Sequence, residues 1–417
     1  MKDPLYNPVV PDHVPAQLVH DFHIFDFDGD DPYLSIRNLL ERGLPDIIWS
    51  RNNGGHWVIL GGHVVADIMR DNVHFSASRP VVPDSENLET TRFLPVMTDP
   101  PEHTLYRGLI APLLTPKFVN ALQAQIRELT ELLIDDVLER AEFDFMADFA
   151  AKMPIIVFMR FLGLPESDRA KLLDLANRVV EPNEGEHRDA PMAELLDYIG
   201  PIIEACRANP GEDLISLLLR RQEKGEWLSD TDMLWLTTSV MLAGLETVSA
   251  SLGYSARFLA ENLDARRRLI AEPDLIPNAV EEILRRYPPS TPGRILIEDT
   301  EIHGVHMKKG EHVIWSLGMF NFDERIFPDA MTVNLDRERS QHATFGIGIH
   351  FCVGAFLART ELRIFLEHWL RRVPDFHIPE GAAIDWRIGL TTSLKNLPLA
   401  LGSKPGEMVD VPRSKAA

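Results

Sequence analysis

The chain has 417 residues, 45% of them hydrophobic and 25% charged, which is the balance of a globular protein able to bury a large core. Its formal net charge of −21 argues against general affinity for nucleic acid or anionic membranes, and no stretch approaches the ~18 consecutive apolar residues of a membrane span. Cys206 and Cys352 are too few and too scattered for a disulfide framework, and no basic-then-apolar leader opens the chain, so a reducing cytoplasm is the expected compartment.

In chain order, residues 1 to about 35 carry several prolines and little periodicity, as an arm over the surface would. "PDIIWSRNNGGHWVILGGH" (45–63) reads as a hairpin about Asn53-Gly54-Gly55. Residues 76–101 show no sustained period and several prolines; a loop this long is usually functional or mobile. Asp99 before Pro100 resembles a helix cap, opening a helix through Glu102, His103 and Arg107. Helical periodicity then dominates from about 116 to 285, broken at 162–168, at the polar "EPNEGEHRDA" (181–190) and at 208–213. After Pro288 the texture turns to short strands, with a Lys308-Lys309-Gly310 turn, and one more helix spans 354–373. With no internal repeat and no dividing linker, the expectation is one domain over 1–417, mainly α with small β-sheets, ending in a tail from about 403 to 417.

Three stretches carry chemistry. From Ser229, with Asp232 as a weak capping-box signal, a helix is predicted to run to about Asn262, on the order of 50 Å. Its apolar middle, "SVMLAGLETVSASLG", contains Glu246 and Thr247. A buried acid there is either paired within the core or used. Ala243-Gly244 would open a groove, or let a neighbour pack closely, and the Thr247 hydroxyl can bond back to the Ala243 carbonyl. In "EEILRR", Glu282 and Arg285 share a helix face, and alone they read as a surface pair; Arg294, opening a strand, alone reads as a surface arginine. "FGIGIHFCVG" (345–354) sets Cys352 at a helix start among Gly346, Gly348 and Gly354. Glycines permit tight turns and close approach to a flat ligand, and peptide N–H groups favour a thiolate. A nucleophilic Cys352–His350 pair has no protease signature around it, and a zinc site lacks further cysteines. A thiolate ligand to haem iron accounts for cysteine, glycines and histidine together.

These residues resemble the cytochrome P450 haem-thiolate monooxygenases. "FGIGIHFCVG" fits the family's haem signature at every fixed position, "AGLET" its oxygen-activation pattern and "EILR" its Glu-x-x-Arg pair, in the family's order. The likeness covers nearly the whole chain and is closest to the bacterial camphor-hydroxylating branch. It implies that fold, with haem b between the long central helix and the cysteine loop and helix. By carry-over, Cys352 ligates iron, Phe345 packs beside the sulfur, and His103, Arg107, Arg294 and His350 hold the propionates. Glu282 and Arg285 become a buried structural pair. Glu246 and Thr247 deliver protons to O2 bound at Ala243 and Gly244.

The resemblance implies insertion of one oxygen atom from O2 into a C–H bond of a small hydrophobic substrate, with a terpenoid or norisoprenoid as the best match. Pocket walls, by position, are Val81, Thr91, Phe93, Val96, Ser239, Leu242, Ala243, Ser290, Leu390 and Thr391, gated by 76–101 and 181–190. Thr91 and Val81 replace a tyrosine and a phenylalanine of the camphor enzyme, and Glu246 replaces its aspartate. Electrons are expected from a small acidic 2Fe–2S ferredoxin with an NAD(P)H-dependent reductase, docking at Arg107 and Arg359. An H2O2-dependent peroxygenase and a non-catalytic haem-thiolate sensor are the alternative classes.

Overall fold

The computed structural model describes residues 5–25, 31–82, 92–180, 189–223, 228–338 and 340–402. Within them the helices are α1 (Pro32–Leu40), α2 (Gly62–Arg70), α3 (Glu102–Ile110), α4 (Pro116–Leu138), α5 (Lys152–Leu162), α6 (Arg169–Val180), α7 (Ala190–Ala208), α8 (Leu214–Glu223), α9 (Asp230–Glu261), α10 (Leu263–Ala271), α11 (Ile276–Arg286), α12 (Gly318–Asn321) and α13 (Ala355–Arg372). The ends of α9 are written in the sequence. The Ser229 side chain accepts from the Asp232 N–H, the Asp232 carboxylate returns the bond to the Ser229 N–H, and Asn262 closes the far end. Alone among the described helices, α9 is long and apolar enough to cross a membrane, but most of that window is buried inside the protein. It is a core helix, packed against α5, α7, α11 and α13. Helix α13 is fastened to α4, where Glu131 accepts from His368, Arg371 and Arg372, and Arg127 pairs with Glu367 at 2.9 Å.

The strands are short: β1 (Ile47–Ser50), β2 (His56–Ile59), β3 (Phe75–Ser76), β4 (Glu142–Asp144), β5 (Gly293–Leu296), β6 (Thr300–Ile302), β7 (Val305–Met307), β8 (His312–Ile314), β9 (Phe376–His377), β10 (Trp386–Arg387), β11 (Ser393–Leu394) and β12 (Pro398–Leu401). The expected hairpin is β1 and β2, with Asn53 at φ 51°, a left-handed position that asparagine tolerates. It extends into a sheet ordered β1-β2-β8-β5-β3, in which β2 and β8 run parallel. The sheet sets Arg294 beside Val313. The turn at Gly310, φ 87°, leads from β7 into β8 as the Lys-Lys-Gly signal implies.

Several local expectations change. Two successive prolines push the start of α3 beyond Asp99, which does not cap it; the Asp99 carboxylate accepts from the Ser76 hydroxyl and, at 3.0 Å, from the Ala77 N–H. It fastens β3 to the front of α3. The N-terminal arm is partly core: Val14, Leu18 and Ile24 are buried, Val19 bridges Trp49, and α1 begins at Pro32 behind an Asp31 cap. Strand β4 and a π-helical turn at Met146–Ala150 interrupt the stretch read as helical. The tail from 403, Thr91 and 181–188 of the polar break lie outside the described residues.

Candidate active site

The loop before α13 is shaped by its glycines. Gly346 and Gly348 take φ 79° and 78°, and a Cβ on Gly348 would stand 2.7 Å from the Met69 carbonyl oxygen. The Cys352 N–H donates to the Phe345 carbonyl at 2.7 Å, and Gly354 stands at the N-cap of α13. Cys352 is exposed to solvent on one side although protein packs closely around the rest of it. Burial pushes its thiol up, opposed by the Gly354 and Ala355 N–H groups and by Arg107 and Arg359. A metal ion at the sulfur would decide that balance for the thiolate. Phe345 lies under the Arg359 guanidinium, 4.3 Å from ring centre. Arg359 in turn grips Glu281 at 2.6 and 2.9 Å. Burial raises Glu281, but the bonds from His342 and Arg359 prevail and hold it at about 2.

The four residues assigned to propionates converge. His103 and His350 have ring centres 4.4 Å apart. Burial, then the charges of Arg294, His103 and Arg107, pulls His350 down to about 3. Burial draws Arg294 down to about 10 and, with Arg107, lowers His103; Asp99 opposes both shifts. The Nε2 atoms of His103 and His350 are buried with no hydrogen-bond partner among the described residues. So many bases around one carboxylate fit a ligand that brings carboxylates of its own. The chemistry of the donor set, thiol below and cations at one rim, fits haem.

In the middle of α9, Thr247 Oγ1 donates to the Ala243 carbonyl at 3.0 Å, as its spacing predicts. The pattern repeats: Ser251 donates to Thr247 O at 2.8 Å and Ser255 to Ser251 O at 2.7 Å. Ala243 is exposed although its helix is core. At Gly244 the close-packing alternative is seen, for a Cβ there would lie 2.0 Å from the Phe158 ring of α5. Glu246 pairs with Arg387 Nη1 at 3.2 Å.

Of the pocket-wall residues, Val96 and Leu390 are large apolar side chains each 49% exposed. Ser290 and Thr391 form a β-bridge, and Val81, Phe93 and Leu242 are half-buried. Ser239 departs from the expectation: it is buried, and its hydroxyl accepts from the Leu94 N–H at 3.0 Å, holding the loop before α3. A solvent-open groove of about 860 Å³ runs along Thr104, Leu105, Gly108 and Arg221. It is on the face of α3 opposite His103 and Arg107 and is not this site.

Glu282 and Arg285 are fully buried and bonded at 2.9 and 3.1 Å. Arg285 also donates to the Thr332 carbonyl at 2.7 Å and to that of Ala330; Glu282 accepts from the Asn334 N–H at 3.0 Å and forms an ion pair with Arg337 at 3.0 Å. The surface-pair reading is thus replaced by a core anchor. Of the two residues expected to dock a redox partner, Arg359 pairs with Glu281 and the half-buried Arg107 donates to the Phe351 carbonyl. Sequence reasoning missed Arg387, Phe158 and Glu281; each acts through a partner far along the chain, and no local signal marks them.

A family model described as Cytochrome P450 matches residues 164–383. The probable cytochrome P450 127A1 of Sinorhizobium fredii is 32% identical over 90% of this chain and 93% of its own length. The steroid C26-monooxygenase of Mycolicibacterium smegmatis is 33% identical over 78% of this chain and 82% of its own. The crystal structure of cytochrome P450 CYP101C1 superposes with a TM-score of 0.89 at 32% identity, covering 95% of this chain and 100% of that one. With a family model over more than half of its length and relatives this similar along most of theirs, the chain belongs to the cytochrome P450 family, monooxygenases that hold haem b through a cysteine thiolate.

Proposed function

We propose that this monooxygenase hydroxylates a compact hydrophobic substrate, a terpenoid or norisoprenoid, with O2 and electrons from a 2Fe–2S ferredoxin and its NAD(P)H-dependent reductase in the cytoplasm. The observation that supports the reading is that the residues expected by position on the pocket wall include two large apolar side chains, Val96 and Leu390, left 49% exposed each, while Ala243 is exposed on an otherwise buried core helix. Haem bound through Cys352 supplies reduction of O2 and oxygenation of a C–H bond. One oxygen atom enters the substrate and the other leaves as water, with uptake of two electrons and two protons.

The chain's own groups then have distinct tasks. His103, Arg107, Arg294 and His350 neutralise two carboxylates. Val81, Phe93, Leu242 and Leu390 exclude water and orient the substrate, with Thr91 as a further candidate. Thr247, fixed by its bond to Ala243, would hold a proton-relaying water at the oxygen site. Glu246 would feed that relay from the side of Arg387. Thr247→Ala is expected to divert most NAD(P)H consumption to peroxide with little change in substrate affinity; coupling equal to the parent would overturn the assignment. A terpenoid panel screened by the Soret shift tests the substrate class, and product formed with H2O2 alone at the ferredoxin-driven rate would favour a peroxygenase.

A further inference from the structure

We propose that Arg387 is a positioning residue that draws the Glu246 carboxylate to the C-terminal hairpin, so that proton delivery stays restrained until that hairpin shifts. This rests on the acid–alcohol reading above. Arg387 and Glu246 meet at 3.2 Å across 141 positions of sequence. Their side chains are 26% and 18% exposed, so solvent screens the pair less than a surface ion pair.

The arginine is carried by an anchored segment. Beside it, Trp386 stacks on Tyr254 at 5.9 Å, meets Tyr33 edge-on at 6.2 Å and lies under Arg257 at 5.0 Å. The Tyr254 hydroxyl donates to the Thr392 carbonyl. The Thr392 N–H donates to Pro289 O at 2.6 Å, and the Thr291 N–H to Leu390 O at 2.9 Å. With both ends tied, Arg387 is held opposite Ser393, so a shift of the hairpin carries the arginine with it. The Thr247 hydroxyl meanwhile faces its own helix, bonded to Ala243. Leu390 and Thr391, expected by position on the pocket wall, are a few residues from Arg387, so a substrate pressing on them would press on the support of the ion pair. The hairpin thereby joins substrate occupancy to the proton donor.

The test needs neither substrate nor redox partner. Haem-loaded enzyme, reduced anaerobically, is mixed with aerated buffer, and its return to ferric is followed by stopped-flow absorbance. One electron passes from ferrous iron to O2, which leaves as hydroperoxyl once it takes a proton. Arg387→Gln should speed this return about fivefold, with Arg387→Lys within about twofold of the parent. Adding Glu246→Gln to Arg387→Gln should abolish the gain. Amide hydrogen exchange over 386–394 should rise alike in Arg387→Gln and Glu246→Gln. An unchanged rate in Arg387→Gln, or a gain that survives Glu246→Gln, overturns the proposal. The coupling of Thr247→Ala reports separately on the underlying reading, so the two can fail independently.

Discussion

Glu361 lies in the middle of α13 with both carboxylate oxygens buried and unbonded among the described residues. Burial alone pushes it up to about 8 from the ordinary 4.5. Between those values the folded protein keeps a proton that the unfolded chain has released, so stability is full below the lower value and falls as pH rises through the upper one. The loss is bounded at roughly 5 kcal/mol. Glu361→Gln should therefore melt at a nearly constant temperature between about pH 6 and pH 9, while the parent declines; parallel declines would exclude Glu361 as the cause. Gly244 gives a second test. Gly244→Ala should cost about 1–3 kcal/mol in denaturant unfolding, partly restored by Phe158→Leu, because the added methyl meets the ring. At this scale the sequence was readable where chemistry dictates a residue type at a fixed spacing, as with Cys352, its glycines and Thr247. Arg387 was hidden because its meaning depends on a partner 141 residues away.

Among elements, α11 is held to the segment around 321–334 by one guanidinium, since Arg285 serves Glu282 and the Asn321, Ala330 and Thr332 carbonyls together. Removing either partner leaves a buried charge unmatched. Arg285→Ala should lose about 3–5 kcal/mol, more than Glu282→Gln, and should release haem on milder denaturation. A smaller loss than in Glu282→Gln would show that the carbonyl contacts contribute nothing. The long helices and the β1–β2 hairpin were legible from period and turn residues over many positions. Strands β3, β4 and β9 to β11 are two or three residues long. They exist through pairing with distant strands and leave no periodicity to detect.

The whole molecule carries a formal charge of −21, and its folded state concentrates that charge. Raising salt from roughly 0.02 to 0.3 M should raise the melting temperature by screening self-repulsion; a fall would mean that attractive ion pairs, such as those joining α4 to α13, dominate instead. The order of the motifs foretold the overall architecture, because they mark α9, α11 and the entry of α13, three helices that pack on one another. The walls of the pocket were less legible, since Ser239 turned out to hold the chain and not the cavity.

The hydroxyls of α9 have a mechanical consequence. Thr238, Thr247, Ser251 and Ser255 each give a proton to the carbonyl four residues back, sharing an acceptor that the helix needs for its own ladder. A helix of 32 residues would otherwise be the stiffest strut in the protein. With its acceptors shared over consecutive turns, it becomes a leaf spring whose compliance is greatest from Thr247 to Ser255. Small bends there would be absorbed without breaking the caps at either end, and amide exchange should be faster in that span than in the flanking turns of α9.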